Sequence, residues 1–587
     1  MSYSLNPAKE QNALGAALSG LRHAFFAVAG LSGLLNILTL SGSFFMLLIY
    51  DRVLPSRSLP TLVGLVLLIG VIYLFQAALD FTRSRILVEI GSSLDVSMSR
   101  RIHDIVLQMR LKTRATGDGL QPVRDLDQVR SFISGPGPTA LFDLPWMVLY
   151  LAICFMFHWL IGLTALAGAI VLVGLTILTE HLTRQPLLSA TRLAGQRSQL
   201  ITSSVQNVEV LHAMGMTGRM RATWGVASDE YMHGQKSAAD VAGGLGAFTR
   251  VFRMFLQSGV LAVGAYLVIE QKATGGIIIA SSILSSRALA PIELAIANWK
   301  GFTASRQAWA RLNEVTAAFP PRAEPTRLPP PRRTLQVEGV SVAPPGVPRL
   351  TAQDISFSLS AGAGLGVIGP SASGKSSLVR AIVGVWPLQR GLVRLDGAST
   401  DQWDPTLLGE HIGYLPQDVE LLTGTVAQNI ARFDPSATPE EIIKAAMSAN
   451  VHDLVLRLPQ GYETPVGQNG AELSAGQRQR IALARALFRE PFLVVLDEPN
   501  SNLDSEGETA LSRAIESCRG RGAIVIVVAH RQSALQPLDQ VMFMADARLQ
   551  IIGPKDEVLG KILAAASPPP AAPAFAPRLA PVEQSKS

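Results

Sequence analysis

The sequence predicts a multidomain chain, an all-α domain of six membrane-spanning helices followed by an α/β domain, and three observations predict it. Six apolar runs, each near the ~20 residues that cross a bilayer, occupy the N-terminal half. The octapeptide Gly369-Pro370-Ser371-Ala372-Ser373-Gly374-Lys375-Ser376 fits the phosphate-loop pattern G-x-x-x-x-G-K-[ST]. Around it, apolar strand-like runs at 364–368, 492–496 and 523–528 alternate with helical stretches. That alternation belongs to a largely parallel sheet with crossover helices.

Bulk properties agree. At 587 residues the chain exceeds what one core sustains. Mean hydropathy is +0.28 and only 16% of residues are charged, against about 25% in soluble domains. The net charge of +6 reads as Lys and Arg gathered in cytoplasmic loops rather than as a nucleic-acid surface, so no nucleic-acid partner is expected. Cys154 and Cys518 lie far apart in different halves, and no disulfide framework is implied.

In chain order, residues 1–22 form a short polar cytoplasmic segment, too short to add a domain before the first span. The domain from 23 to 319 holds spans at about 24–50, 61–79, 142–158, 160–179, 252–269 and 276–299. Asp51 to Ser56 is a short polar turn on the outer side. Two long basic segments, roughly 81–137 and 181–250, show helical periodicity and extend the spans into the cytosol. Both chain ends then lie inside. A soluble bundle is the weaker reading, because too many long uncharged runs follow one another.

Arg287 and Glu293 fall inside span six. Charge at membrane depth faces the protein interior or water and often marks a pathway. Being six residues apart, the two are poor partners within one helix. Either one or both line a translocation route, or Glu293 sits hydrated at the cytoplasmic edge.

A proline-rich linker occupies 320–334, the α/β domain 335–565, and a Pro/Ala-rich tail 566–587. The tail cannot bury a core and is expected to be disordered. In the α/β domain the glycines let backbone N–H groups turn towards phosphates, and the following helix N-terminus adds positive potential. Lys375 supplies a full charge, and the Ser376 hydroxyl, followed by Ser377, can reach Mg²⁺. Asp497 and Glu498 close a buried strand: the first can hold Mg²⁺, the second can orient and deprotonate a water. His530 ends the next apolar strand, where a neutral imidazole can contact a γ-phosphate. Gln417 follows a short strand and can bridge Mg²⁺ and the attacking water.

The stretch Leu473-Ser474-Ala475-Gly476-Gln477-Arg478-Gln479-Arg480 leads into a helix. With these motifs in this order the soluble half resembles the nucleotide-binding domain of ATP-binding-cassette transporters. Residues 473–480 are similar to the family signature, with Ala475 where glycine is usual, and Ser501-Asn502-Leu503-Asp504 resembles the loop that crosses the dimer interface. The resemblance implies an ATP hydrolase with ATP and Mg²⁺ as cofactors. It also implies a homodimer in which each ATP lies between the phosphate loop of one subunit and Ser474, Ala475, Gly476 and Gln477 of the other. The family's adenine-stacking aromatic is missing from 340–346, which puts the strength of base contact in question.

Six spans before the nucleotide domain resemble the exporter architecture. The Tyr50-Asp51-Arg52-Val53-Leu54-Pro55 turn, taken with the phosphate loop and Ala343-Pro344-Pro345-Gly346, looks like the type I secretion subfamily, and within it the protease and lipase exporters. This implies an inner-membrane protein that exports unfolded polypeptide bearing an uncleaved C-terminal signal. Its partners would be a periplasmic membrane-fusion adaptor, a TolC-like outer-membrane channel, the secreted protein and membrane lipid. No substrate-cleaving peptidase domain is expected. Short helices at about 114–127 and 211–220 would couple the halves near Gln417. An exporter of lipid or small molecules would share every ATPase motif and stays open at this point.

Overall fold

A computed structural model describes residue 15 and residues 19–113, 119–320 and 328–566. Most of the 1–22 segment, the start of the helix expected near 114, the middle of the linker and nearly all of the 566–587 tail lie outside the described residues. The chain divides into two compact units, one of 1–110 with 115–321, the other of 322–587 with 111–114.

The first unit is helical. Helix α1 (Arg22–Leu48) runs through a π-helical turn, Ile49–Val53, into the short helix Leu54–Ser56. Reversal therefore comes at Arg57, in left-handed conformation, rather than at Asp51. Helix α2 (Leu59–Lys112) follows as one element, then α3 (Gln121–Ile133), α4 (Gly137–Asp143), α5 (Trp146–Phe157), α6 (Trp159–Gln206), α7 (Val208–Ala213), α8 (Thr217–Ile269) and α9 (Gly275–Ala318). Five of these are long and apolar enough to cross a membrane, and the bent pair α4–α5 makes a sixth candidate. The run expected as the third span is thus carried by two helices meeting at 43°. Pro145 at that junction has no N–H to continue the helical ladder.

Burial separates lipid-facing from packed segments. The most apolar stretch of α2 has no buried residue, and Leu67, Val71 and Leu74 are exposed. No aqueous folding drive would leave such a surface bare; a bilayer would cover it. Farther along α2, Leu87, Ile90, Leu94, Met98 and Ile102 recur at helical spacing and pack on Leu126 and Val129 of α3 and Ala308 and Leu312 of α9. Arg311 of α9 closes this cluster with a two-pronged bond, Nε to Asp125 Oδ2 at 2.9 Å and Nη2 to Oδ1 at 2.6 Å.

On the outer side Asp51 ties the α1–α2 turn to the start of α9. Its Oδ1 accepts from the Gly276 N–H at 2.8 Å and its Oδ2 from the Thr274 hydroxyl at 2.7 Å. It serves as an N-cap supplied from 225 residues away.

The second unit has two sheets. The larger has strand order β10-β9-β3-β8-β7-β6, with β3 Gly364–Ile368, β6 Ile412–Leu415, β7 Leu493–Asp497, β8 Ile524–Val528, β9 Gln540–Ala545 and β10 Arg548–Pro554. Its inner pairs are parallel and only β9–β10 is antiparallel. Alternate residues of β7 and β8 enter two cores. Leu493, Val495, Ile524 and Ile526 face one, Val494, Leu496, Val525 and Val527 the other. A strand covered on both faces reads as an unbroken apolar run, which is why these were visible in sequence. The smaller sheet, β2-β1-β4-β5, pairs β1 (Thr334–Val342) antiparallel with β2 (Ala352–Ser360) and β4 (Leu388–Leu395), and β4 with β5 (Ala398–Ser399). Strand–helix alternation does not announce it, because no helix separates β1 from β2.

Asp51→Ala should remove the cap on α9 at a cost of about 1 kcal/mol. Hydrogen–deuterium exchange of the first α9 amides should then rise roughly fivefold, with Asp51→Asn losing less. Unchanged exchange in Asp51→Ala would show that the cap is idle.

Candidate nucleotide-binding site

The register of the parallel sheet brings the expected residues to one edge. Val367 pairs with Val528, and Val528 with Asp497; Leu496 pairs with Leu415. The loops leaving β3, β8, β7 and β6 therefore start side by side, carrying the phosphate loop, His530, Glu498 and Gln417. Clefts beyond the carboxyl ends of parallel strands are where such sheets bind ligands.

After β3 the chain curls through Gly369 (φ +152°) and Gly374 (φ +96°). A side chain at either would run into backbone, at the Met544 carbonyl or the Thr351 carbonyl respectively. Helix α10 (Lys375–Ile382) begins at once, so its free N–H groups face the loop. Ser371 and Ala372 are exposed at the crest, while Ser373 and Lys375 are buried. Lys375 Nζ donates to the carbonyls of Gly369 at 3.0 Å and Pro370 at 2.8 Å. Burial pulls its pKa below the ordinary lysine value, although Glu498 and Asp497 oppose the shift.

Asp497 is fully buried. Its Oδ1 accepts from the Ser376 hydroxyl at 3.1 Å, whereas its Oδ2 is buried with no partner. Desolvation raises its pKa above the usual carboxylate range. An orphaned carboxylate oxygen beside a hydroxyl fits a divalent cation, held directly or through water. Among the described residues no cluster of three or more His, Cys, Asp or Glu can hold a metal alone. Phosphate oxygens and water would have to complete the coordination, as they do for Mg²⁺ at nucleotide sites.

Glu498 has left-handed backbone, φ +51°. Its N–H donates to the Val528 carbonyl at 3.0 Å, and its Oε1 lies 3.1 Å from His530 Nε2. The carboxylate is thereby swung off the strand and tied to the neighbouring strand's end.

Helix α11 (Ala475–Leu487) is capped by Ser474: the Ser474 Oγ accepts from the Gln477 N–H at 3.3 Å, and Gln477 Oε1 from the Ser474 N–H at 2.8 Å. Ser474 and Ala475 are exposed. Among the described residues no hydrogen bond joins Ser474–Gln477 or the exposed Gln417 to the phosphate loop, so these form separate patches within one chain.

One positioning residue was not singled out in sequence. Gln479, buried on α11, donates to the Pro499 carbonyl and, at 3.4 Å, to the Glu498 carbonyl, and accepts from the Asn502 N–H at 3.1 Å. It fastens the loop that carries Glu498 to the helix that begins at Ser474. Its sequence signal is slight: one polar residue on the otherwise apolar inward face of a helix whose outer face is basic.

Comparison with known proteins finds relatives for both parts of the chain. Residues 352–501 match the ABC transporter family and residues 25–291 the ABC transporter transmembrane region. The chain is 56% identical to the type I secretion system ATP-binding protein PrsD of Rhizobium meliloti (strain 1021), over 93% of this chain and 94% of that one. It is 29% identical to the cyclolysin secretion/processing ATP-binding protein CyaB of Bordetella pertussis (strain Tohama I), over 92% of this chain and 76% of that one. A solved structure of a bacterial Atm1-family ABC exporter with ATP bound superposes with a TM-score of 0.79 at 21% identity, covering 94% and 99% of the two chains. That likeness concerns the fold.

Gln479→Leu should unfasten the Glu498 loop while leaving the phosphate loop intact. Turnover of ATP should fall about tenfold, some 1.4 kcal/mol, with KM for ATP within about twofold. Steady-state kinetics check this; a change in KM alone would place Gln479 in nucleotide binding instead.

Proposed function

The chain belongs to the ABC transporter family, and from that premise we propose that it is the ATP-driven inner-membrane exporter of a type I secretion system. It works as a homodimer and moves unfolded polypeptide carrying an uncleaved C-terminal signal. Its partners are a periplasmic adaptor and an outer-membrane channel. The observation that carries the reading is the 56% identity to a type I secretion ATP-binding protein across both halves of the chain, and the approach of Glu498 to His530 at 3.1 Å beside the phosphate loop supports it.

The phosphate loop, Gly369 to Ser377, cradles the β- and γ-phosphates through backbone N–H groups, and Lys375 turns from its two carbonyls to the phosphate oxygens. Ser376, Asp497 and Gln417 would hold Mg²⁺, which when bound supplies charge neutralisation at the phosphates. Glu498 accepts a proton from the water that attacks the γ-phosphorus, and the P–O bond to ADP breaks as the P–O bond to water forms. His530 holds Glu498 at 3.1 Å and sits where it can also sense the γ-phosphate. Ser474, Ala475, Gly476 and Gln477 of the partner subunit complete each site, so ATP binding closes the pair and hydrolysis reopens it. With no aromatic ring at 340–346, adenine contact falls to apolar and proline side chains. Lost stacking weakens binding by about 1 kcal/mol without abolishing it.

Glu498→Gln should lower steady-state ATP hydrolysis at least ~100-fold and trap ATP-bound dimers, seen as retained nucleotide and a dimer on size exclusion. Normal turnover in that variant would refute the assigned base. Deleting the gene should remove specific proteins from the culture medium, with restoration by the wild-type gene and not by Glu498→Gln. An unchanged secreted set with altered membrane lipid would favour a lipid exporter.

A further inference from the structure

The membrane unit contains a polar cavity of about 490 Å³, lined by residues that include Asn36, Asp80, Arg83, Asp143, Tyr150 and Arg287. Arg287 lies 12 residues into α9, and Asn36 lies 12 residues from the outer end of α1. At 1.5 Å per residue both sit about 18 Å in, near the middle of a hydrocarbon core some 30 Å thick. The outer ends of these helices are adjacent, since Asp51 bonds to Thr274 and Gly276.

Most of the charge here is already matched. Arg83 donates to Asp143 at 3.1 Å and to Asp80 at 2.7 Å. Asp143 also accepts from Asn36 Nδ2 at 2.8 Å, and the Tyr150 hydroxyl donates to the Asn36 carbonyl at 2.8 Å. One turn-and-a-half beyond Arg287 on α9, Glu293 is paired with Arg253 of α8 at 2.7 Å. Arg287 differs from all of these. It is exposed to the cavity, and among the described residues no carboxylate lies within ion-pair distance of it. A guanidinium offers five donors in a fork that matches a carboxylate. An unpaired one at membrane depth is costly to keep and marks a functional position.

We propose that Arg287 is a specificity residue that pairs with carboxylate side chains of the polypeptide in transit. This rests on the exporter reading and names the chemistry its cargo presents. The neighbouring groups decide between anions. Asp80 and Asp143 repel a multiply charged guest, whereas a single carboxylate can pair with Arg287 without overloading the site. The rest of the wall is mixed, with Asn36, Gln76 and Tyr150 alongside Leu35, Pro291 and Leu294, which suits a peptide's polar backbone and apolar side chains.

The test uses full-length, nucleotide-free protein in phosphatidylcholine vesicles and a short fluorescent peptide carrying a single Asp as its one carboxylate, with an Asn-for-Asp version as control. Fluorescence anisotropy should show the Asp peptide binding at least about tenfold more tightly. Arg287→Gln should erase that preference and Arg287→Lys should keep much of it. Equal affinity of wild type for the two peptides overturns the proposal, as does a preference that survives Arg287→Gln. Should the Gln variant not fold, the wild-type and Lys measurements still decide. Photocrosslinking from position 290 of the same cavity wall, with Arg287 intact, to phosphatidylglycerol added to the vesicles in place of the peptide would assign the cation to lipid phosphate and also overturn it. Wild-type ATP hydrolysis and secretion test the exporter reading separately, so the two ideas fail independently.

Discussion

A carboxylate buried at the end of an apolar strand is an awkward thing to fold around, and Asp497 is fully buried. Removing a charge from water costs several kcal/mol unless partners replace the lost hydration. Ser376 satisfies one oxygen and, among the described residues, nothing satisfies the other. Lys375 is close enough to act on Asp497, yet its own donors go to two carbonyls of the loop. Burial disfavours the charged form of both groups, raising the acid's pKa and lowering the base's. The domain is thus electrostatically incomplete at one point. A polyphosphate and a divalent cation together would supply what each lacks, and whatever binds the folded state alone also stabilises it.

The membrane unit obeys the same rule in a harsher solvent. In lipid an unpaired polar group has no water to fall back on, and several charged side chains of this unit are met by opposite charges. Arg311 meets Asp125, Arg253 meets Glu293, and Arg83 is shared by Asp80 and Asp143. The apolar side chains along the first half of α2 stay uncovered because lipid is their partner. Against that thrift, one unpaired guanidinium facing a cavity is informative in the way an orphaned Asp497 oxygen is.

What could be read from sequence were features held within a few consecutive residues. The phosphate loop was legible because its glycines, lysine and serine are contiguous and its two left-handed turns need glycine. The strands ending in Asp497 and at His530 were legible because a strand buried on both faces shows no alternation. Contacts joining distant segments were not. Nothing near Asp51 tells that it caps a helix starting at Gly275, and nothing near Glu293 points to Arg253 on another helix. The α4–α5 bend needed Pro145 to be weighed against an apolar run that otherwise looks continuous. Gln479 escaped because its partners are mostly backbone atoms of a loop about twenty positions away.

Those distant contacts explain how Glu498 is held ready. Its left-handed backbone costs on the order of 1–3 kcal/mol and persists only because three anchors over-determine it. The N–H is tied to Val528, the carbonyl to Gln479 and the carboxylate to His530. Two of these anchors come from β8 or from two residues past its end, so they depend on the pairing of Asp497 with Val528. A slip of one residue between β7 and β8 would turn every side chain of one strand to the other core, and the apolar layers on both faces forbid it. Hydrophobic packing on two sides of the sheet therefore fixes where Glu498 and His530 meet. The cost of holding them is met when the chain folds, so no reorganisation is left to the moment of reaction.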